Sequence, residues 1–69
     1  MAGFAVRLER AGGRYTMMGC DAYHVDRSKG QTVVRMEERG KIAEAVLEDG
    51  DKVFVMNSDG HTVDRIARS

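Results

Sequence analysis

Proline and tryptophan are absent from the chain, and only one cysteine, Cys20, occurs among its 69 residues. A lone thiol excludes an internal disulfide and is typical of proteins that work in a reducing compartment. The first residues lack a signal-peptide pattern because Arg7 and Glu9 interrupt any apolar core. No apolar run approaches the roughly 20 residues that a membrane-spanning helix needs. We therefore expect a soluble, cytoplasmic protein with no membrane partner.

Net charge is also absent, because eleven Lys and Arg residues balance eleven Asp and Glu residues. Nucleic-acid-binding domains are usually basic overall, so this balance argues against a general polyanion binder. The charges are nevertheless unevenly distributed along the chain. Residues 1–41 include eight basic and five acidic residues, whereas residues 42–64 include one basic and six acidic residues. This asymmetry predicts surface regions of opposite charge, a property that orients charged partners.

Motifs for catalysis, cofactors and metals are missing as well. Cys20 and His24 are four residues apart, which on one strand is about 13 Å and too far for a nucleophile and its base. The cysteine, histidines and aspartates lack the paired spacing of structural zinc sites. The glycines do not form a phosphate-binding signature. These absences predict a non-enzymatic protein without a cofactor and without a metal site.

Glycine, in contrast, is regularly spaced. Gly30, Gly40, Gly50 and Gly60 lie ten residues apart, each beside charged or turn-forming neighbours. Asp-Gly pairs between apolar runs are the strongest short-range hairpin signal, because glycine accepts positive φ without strain. Tight turns are predicted at AGGR (11–14), SKGQ (28–31), ERGK (38–41), EDGD (48–51) and SDGH (58–61).

The segments between these turns show the patterns of short strands. Residues 3–10 and 31–38 alternate between two sets of side chains, as half-buried strands do. In residues 62–68, Val63 and Ile66 are out of parity with each other. That segment fits either a strand with a bulge or a short helical turn.

Two segments need separate treatment. Residues 14–27 are too long for one simple strand, and Gly19 predicts a bent strand or two strands joined at a corner. Residues 41–49 consist of good helix formers, and Gly50 could cap a helix there. A helix confined between two glycines would have about nine residues, which is marginal without strong packing. The turns on both sides favour a strand.

These patterns predict one small all-β domain over residues 1–69. Sequential hairpins would give an antiparallel meander of five or six strands curled into a barrel-like sheet. The alternative is an α+β fold with a short helix at 41–49.

Strand 52–57 is predicted to be apolar on both faces. Val53 and Val55 alternate with Phe54 and Met56, so both faces need cover. A chain of 69 residues has few residues left to bury the second apolar face. We therefore predict that a second copy of the chain buries this face in a homodimer.

Our leading functional hypothesis is a small non-enzymatic module that binds another protein. Compact single-domain chains of this kind are common among the accessory proteins of phages and mobile elements, and we expect such a role here. We expect contacts through an exposed strand edge, which pairs readily with a partner's backbone. The predicted contact residues are Glu48, Asp49, Asp51, Phe54 and Met56.

The alternative is a nucleic-acid-binding small barrel that uses the basic N-terminal half. In that case cationic side chains would contact phosphates and exposed tyrosines would stack on bases. The residues concerned are Arg7, Arg10, Arg14, Tyr15, Tyr23 and Arg35.

Overall fold

The computed structural model describes residues 3–68, which form seven β-strands. They are β1 Phe4–Glu9, β2 Tyr15–Cys20, β3 Ala22–Ser28, β4 Gln31–Glu38, β5 Lys41–Leu47, β6 Lys52–Asn57 and β7 Thr62–Ala67. The strands pair antiparallel, and residues 3–68 include no helix. The predicted all-β class is confirmed, with more strands than the expected five or six. This part of the chain therefore has no helix able to cross a membrane.

The strands form two sheets, with the orders β2-β1-β6-β7 and β3-β4-β5. Four hairpins between consecutive strands match the predicted meander, but β1 also pairs with β6, a distant partner along the chain. Only Asp21 separates β2 from β3, which lie in different sheets. The predicted corner within residues 14–27 is therefore confirmed.

Over residues 3–68 the sheets face each other without closing into a barrel. β3 and β7 are edge strands of different sheets, and side-chain hydrogen bonds connect them in place of the main-chain pairing that a closed barrel would have. The Tyr23 hydroxyl donates a hydrogen bond to Asp64 Oδ2 (2.9 Å), and Arg27 Nη1 donates to the carbonyl oxygen of Ala67 (3.0 Å). The fold is therefore a two-sheet sandwich, where a single curled sheet was predicted.

Two hairpins have the tightest possible loops. Lys29-Gly30 connects β3 to β4, and Arg39-Gly40 connects β4 to β5. All four residues have positive φ, between 53° and 78°. Positive φ at both central residues is the geometry of a type I′ turn, whose twist matches that of paired strands.

In the other two hairpins, main-chain hydrogen bonds from Arg10 N–H to the Arg14 carbonyl (2.7 Å) and from Asn57 N–H to the His61 carbonyl (2.9 Å) each enclose three residues. The last of the three is a left-handed glycine, Gly13 (φ 92°) or Gly60 (φ 84°). Gly60 N–H donates to the Asn57 carbonyl (3.0 Å), which closes the tight turn predicted at SDGH. Past this loop, the β6–β7 register shifts between Val55 and Met56. The shift confirms a bulged strand at 62–68 in place of a helical turn.

The EDGD turn at 48–51 does not form the predicted hairpin. It carries the chain from β5 in one sheet to β6 in the other. Gly50 still adopts positive φ (88°). Its local conformation was therefore predictable, whereas the direction of the following strand was not.

Residues 41–47 form β5, so the alternative of a helix at 41–49 is wrong. In β5, Ala45 and Leu47 are buried while Val46 between them is 47% exposed, which is the period-two pattern of a strand. Pairing with β4 provides main-chain hydrogen bonds to these residues, whereas a helix of about nine residues would be marginally stable without strong packing.

The core lies between the two sheets. It consists of Val6, Leu8, Cys20, Val34, Met36, Ala45, Leu47, Val53, Val55 and Ile66. Aromatic rings border this core, where Phe4 and Tyr23 pack edge to face with ring centroids 5.3 Å apart. Since the buried residues come from both sheets, neither sheet can bury its apolar face alone.

Candidate functional site

The outer face of the four-stranded sheet is the candidate site. Side chains alternate along each strand, so burial of Val6 and Leu8 in β1 and of Val53 and Val55 in β6 turns their neighbours outward. We call this surface the outer face. It consists of Ala5, Arg7, Glu9, Tyr15, Met17, Gly19, Lys52, Phe54, Met56, Thr62, Arg65 and Ala67.

Four of these residues form a row across the middle of the outer face. Arg7 in β1 lies opposite Met17 in β2 and Phe54 in β6, and Phe54 in turn lies opposite Arg65 in β7. We call these four residues the central row. Met17 is 48% exposed, and Phe54 is partly buried. An aromatic ring therefore lies between two cationic side chains on an open sheet.

The row on one side of the central row has mostly small and apolar side chains and ends at Thr62 in β7, opposite Met56. Ala5 lies opposite Gly19 and Met56. Val63, the residue left over where the β6–β7 register shifts, is 49% exposed beside Met56. These small residues let a partner approach the sheet backbone closely.

The row on the other side is more polar. Glu9 lies opposite Tyr15 and Lys52. Arg7 Nε lies 2.8 Å from Glu9 Oε2, and the Arg7 guanidinium stands 4.6 Å from the centroid of the Tyr15 ring. Stacking and ion pairing therefore hold Arg7 over a tyrosine that is 60% exposed.

A shallow cleft runs along β6 and β7 on this sheet. Its lining consists of Lys52, Val53, Phe54, Arg65, Ile66 and Ala67. Both of its charged side chains, Lys52 and Arg65, are cationic and exposed. Neither forms an ion pair with a side chain of residues 3–68.

Of the predicted acidic contacts, Glu48 and Asp49 are exposed whereas Asp51 is buried, with 3% of its surface exposed. Asp51 Oδ2 accepts hydrogen bonds from Glu48 N–H (2.9 Å) and Arg10 Nη1 (2.7 Å), and Oδ1 accepts one from Ala11 N–H (3.0 Å). These donors lower the pKa of Asp51. The hydrogen bond from the Glu48 N–H has the largest effect and that from the Arg10 side chain the next largest, while burial acts in the opposite direction. Asp51 thus holds loops together and is not presented to a partner.

The residues predicted for nucleic-acid binding are dispersed. Arg7 and Tyr15 lie on the outer face, but Arg10 is tied to Asp51 by a 2.7 Å ion pair. Arg35 pairs with Glu44 (3.0 Å) in the other sheet.

Tyr23 lies in the seam between the sheets, against Phe4 and Asp64, and Arg14 is exposed just before β2. Burial first, and then the hydrogen bond to Asp64, raise the pKa of Tyr23. Only part of the predicted set therefore shares a surface.

Sequence reasoning placed Phe54 and Met56 together on one face of strand 52–57 and named them as contact residues, without deciding which face is buried. The structure places both on the outer face. It missed Met17 and Arg65 as their neighbours. Alternation within β2 and β7 indicates which way these side chains point. The strand order alone brings Met17 beside β1 and Arg65 beside β6, and no local sequence pattern encodes that order.

Groups capable of chemistry do not converge within residues 3–68. Cys20 is fully buried, and burial first, followed by the charges of Asp21 and Glu38, raises the pKa of its thiol. His24 is exposed in β3. No three His, Cys, Asp or Glu residues of this range lie close enough together to hold a metal ion.

Comparisons with protein-family models, with curated proteins and with solved structures gave no match. The functional assignment therefore depends on the geometry and chemistry of the outer face.

Proposed function

We propose that this protein is a small non-enzymatic module that binds another protein through the outer face of its four-stranded sheet. The central row carries the proposal, since it presents methionine, phenylalanine and two arginines on a sheet face that no other element of residues 3–68 covers. Aromatic residues, methionine and arginine are the residue types enriched at the centres of protein interfaces. Methionine also adapts its shape to a partner surface.

The three-stranded sheet offers an internal comparison. Its corresponding outward row places Arg35 opposite both His24 and Glu44, and Arg35 forms an ion pair with Glu44. A polar, internally paired row is what a solvated sheet face normally presents. The central row of the other sheet differs because it sets Phe54 between two arginines, a combination typical of interface centres, and this supports a binding role. Exposed apolar side chains alone do not distinguish the two sheets, since Ile42 and Val46 of the three-stranded sheet are 62% and 47% exposed.

Other uses of the outer face have less support. A nucleic-acid interface would need several basic and aromatic residues on one surface, whereas Arg10, Tyr23 and Arg35 lie elsewhere with protein partners. The predicted homodimer stays a prediction, and so does the absence of enzymatic activity. For this protein-binding role we retain a cytoplasmic location, which the lone cysteine favours, and an accessory role in a phage or mobile element.

Selection from a random peptide library on the immobilised protein tests the proposal. We expect specific peptides to be enriched on the wild-type protein and lost on Phe54→Ser, because this change removes the aromatic centre of the outer face. Val46→Ser is the matched control, since Val46 is an exposed apolar residue of the other sheet. Circular dichroism checks that both variants fold. Absence of enrichment, or enrichment that survives Phe54→Ser, would contradict the proposal.

A further inference from the structure

We infer that the partner segment is acidic and that it presents an apolar side chain flanked by carboxylates to the cleft between Phe54 and Arg65. This inference rests on the proposed function and names the chemistry of the partner. The evidence for it is that Lys52 and Arg65 are the charged residues of the cleft and that neither forms an ion pair within residues 3–68.

The charge of the outer face differs from that of the whole chain. Arg7, Lys52 and Arg65 on this face are opposed by Glu9 alone, while the chain as a whole has no net charge. Arg7 and Glu9 already form an ion pair. The local excess therefore belongs to Lys52 and Arg65, which are the two charged residues of the cleft.

The position of these cations suits a carboxylate-bearing ligand. Phe54 offers an apolar surface on the cleft wall, Arg65 lies directly opposite it, and Lys52 lies two residues away on the same face of β6. An arginine guanidinium binds a carboxylate through two parallel hydrogen bonds, and a lysine adds a point charge. An apolar side chain against Phe54 would thus bring flanking carboxylates to both cations.

Two other occupants fit this surface less well. A second copy of the chain, packed face to face, would bring two surfaces of net positive charge together, and like charges across an interface are costly. A nucleic acid would stack bases on exposed rings, but the Arg7 guanidinium already stands over Tyr15.

The test compares peptides selected on the wild-type protein with those selected on the double variant Lys52→Glu with Arg65→Glu. We expect wild-type selection to enrich Asp and Glu around an apolar residue, and the double variant to enrich Lys and Arg in their place. A synthetic acidic peptide from the wild-type pool should bind the double variant roughly tenfold more weakly or worse, and its affinity should fall as salt is added.

The matched control is Lys29→Glu with Lys41→Glu, which makes the same change of charge on exposed residues associated with the other sheet. It should leave the selected sequences unchanged. The neutral pair Lys52→Gln with Arg65→Gln should remove the acidic preference without creating a basic one, so the test does not depend on tolerance of the reversed charges.

The outcomes separate this inference from the proposed function. Enriched peptides with no excess of Asp and Glu overturn the inference and leave a protein-binding face. An absence of enriched peptides overturns both. Binding of single-stranded DNA, RNA or anionic vesicles that the double variant abolishes also overturns the inference, because the cations would then serve phosphates.

Discussion

At the scale of single residues, Asp51 shows how one buried carboxylate joins two loops. Its oxygens accept hydrogen bonds from the β5–β6 crossover and from the loop after β1, through Glu48, Arg10 and Ala11. Gly50 beside it comes close to the same loop, since a Cβ added there would lie 2.8 Å from Ala11 Cβ. The crossover is thus fixed by one polar and one steric contact.

The lowered pKa of Asp51 predicts a specific loss of stability in acid. In the unfolded chain the carboxyl has its ordinary pKa of 3.8, and folding holds it below that value. The stabilisation is therefore complete above the unfolded pKa and is lost as the pH falls through the folded pKa, because the unfolded state then binds more protons. Urea unfolding from neutral to acidic pH should show a steeper loss for wild type than for Asp51→Asn. An equal dependence of the free energy of unfolding on pH in the two proteins would contradict this account.

Glycine substitutions should distinguish the crossover from an open loop. Gly60→Ala should lower the free energy of unfolding by about 1–2 kcal/mol, because an alanine is strained at a φ of 84°. No steric clash adds to this loss, since the space around Gly60 is open. Gly50→Ala should cost about 1 kcal/mol or more beyond that, since its new methyl group meets Ala11. Gly12→Ala is the control and should be nearly neutral, because no atom lies within 4 Å of its added Cβ. Equal losses at Gly50 and Gly60 would show that Ala11 moves without cost.

The Cys20 thiol should be protected in the native protein. Burial raises its pKa, and the side chain has no exposed surface, so the reactive thiolate is both scarce and inaccessible. A thiol reagent added at neutral pH should label the protein only as fast as it unfolds, and at once in denaturant. Rapid labelling of the folded protein would contradict the buried position of β2's last residue.

At the scale of elements, the two type I′ turns have strain that can be relieved. Lys29 and Arg39 both have φ of 53°, a conformation that asparagine accepts more readily than lysine or arginine. Lys29→Asn and Arg39→Asn should each raise the free energy of unfolding by about 0.5–1 kcal/mol, measured by urea titration. Lys29→Ala keeps the strain and serves as the control. A gain for alanine equal to that for asparagine would point to removal of charge as the cause.

Local patterns predicted most elements because turns and alternation are encoded locally. Gly40 and Gly50 correctly indicated strand for residues 41–47, although these residues are good helix formers. The same rules failed at 48–51, where Gly50 accepts positive φ as expected but Asp51 makes contacts with Arg10 and Ala11, about forty residues earlier. A tight turn specifies its own backbone, and distant contacts decide which sheet the next strand joins.

At the scale of the whole molecule, the β1–β6 pairing decides the architecture. It joins segments almost fifty residues apart, such as Val6 and Val55, and leaves no periodic signal in the sequence. The same pairing assembles the outer face, since it sets Arg7 beside Phe54. Local reasoning could therefore not predict the two-sheet arrangement or the full candidate site, whereas it did predict that Phe54 and Met56 share one face of their strand.

A core shared by both sheets predicts that the molecule unfolds as one unit. Ile66 lies in β7 at the edge of the four-stranded sheet and is 4% exposed within the common core. Ile66→Val should lower the free energy of unfolding by about 0.5–1.5 kcal/mol. Because neither sheet can bury its apolar face alone, the slowest-exchanging amides of β4 in the other sheet should lose the same protection as those of β1. Arg65→Lys, an exposed change on the same strand, should leave exchange in β4 unaltered. Loss of protection confined to β6 and β7 would instead reveal two independently unfolding sheets.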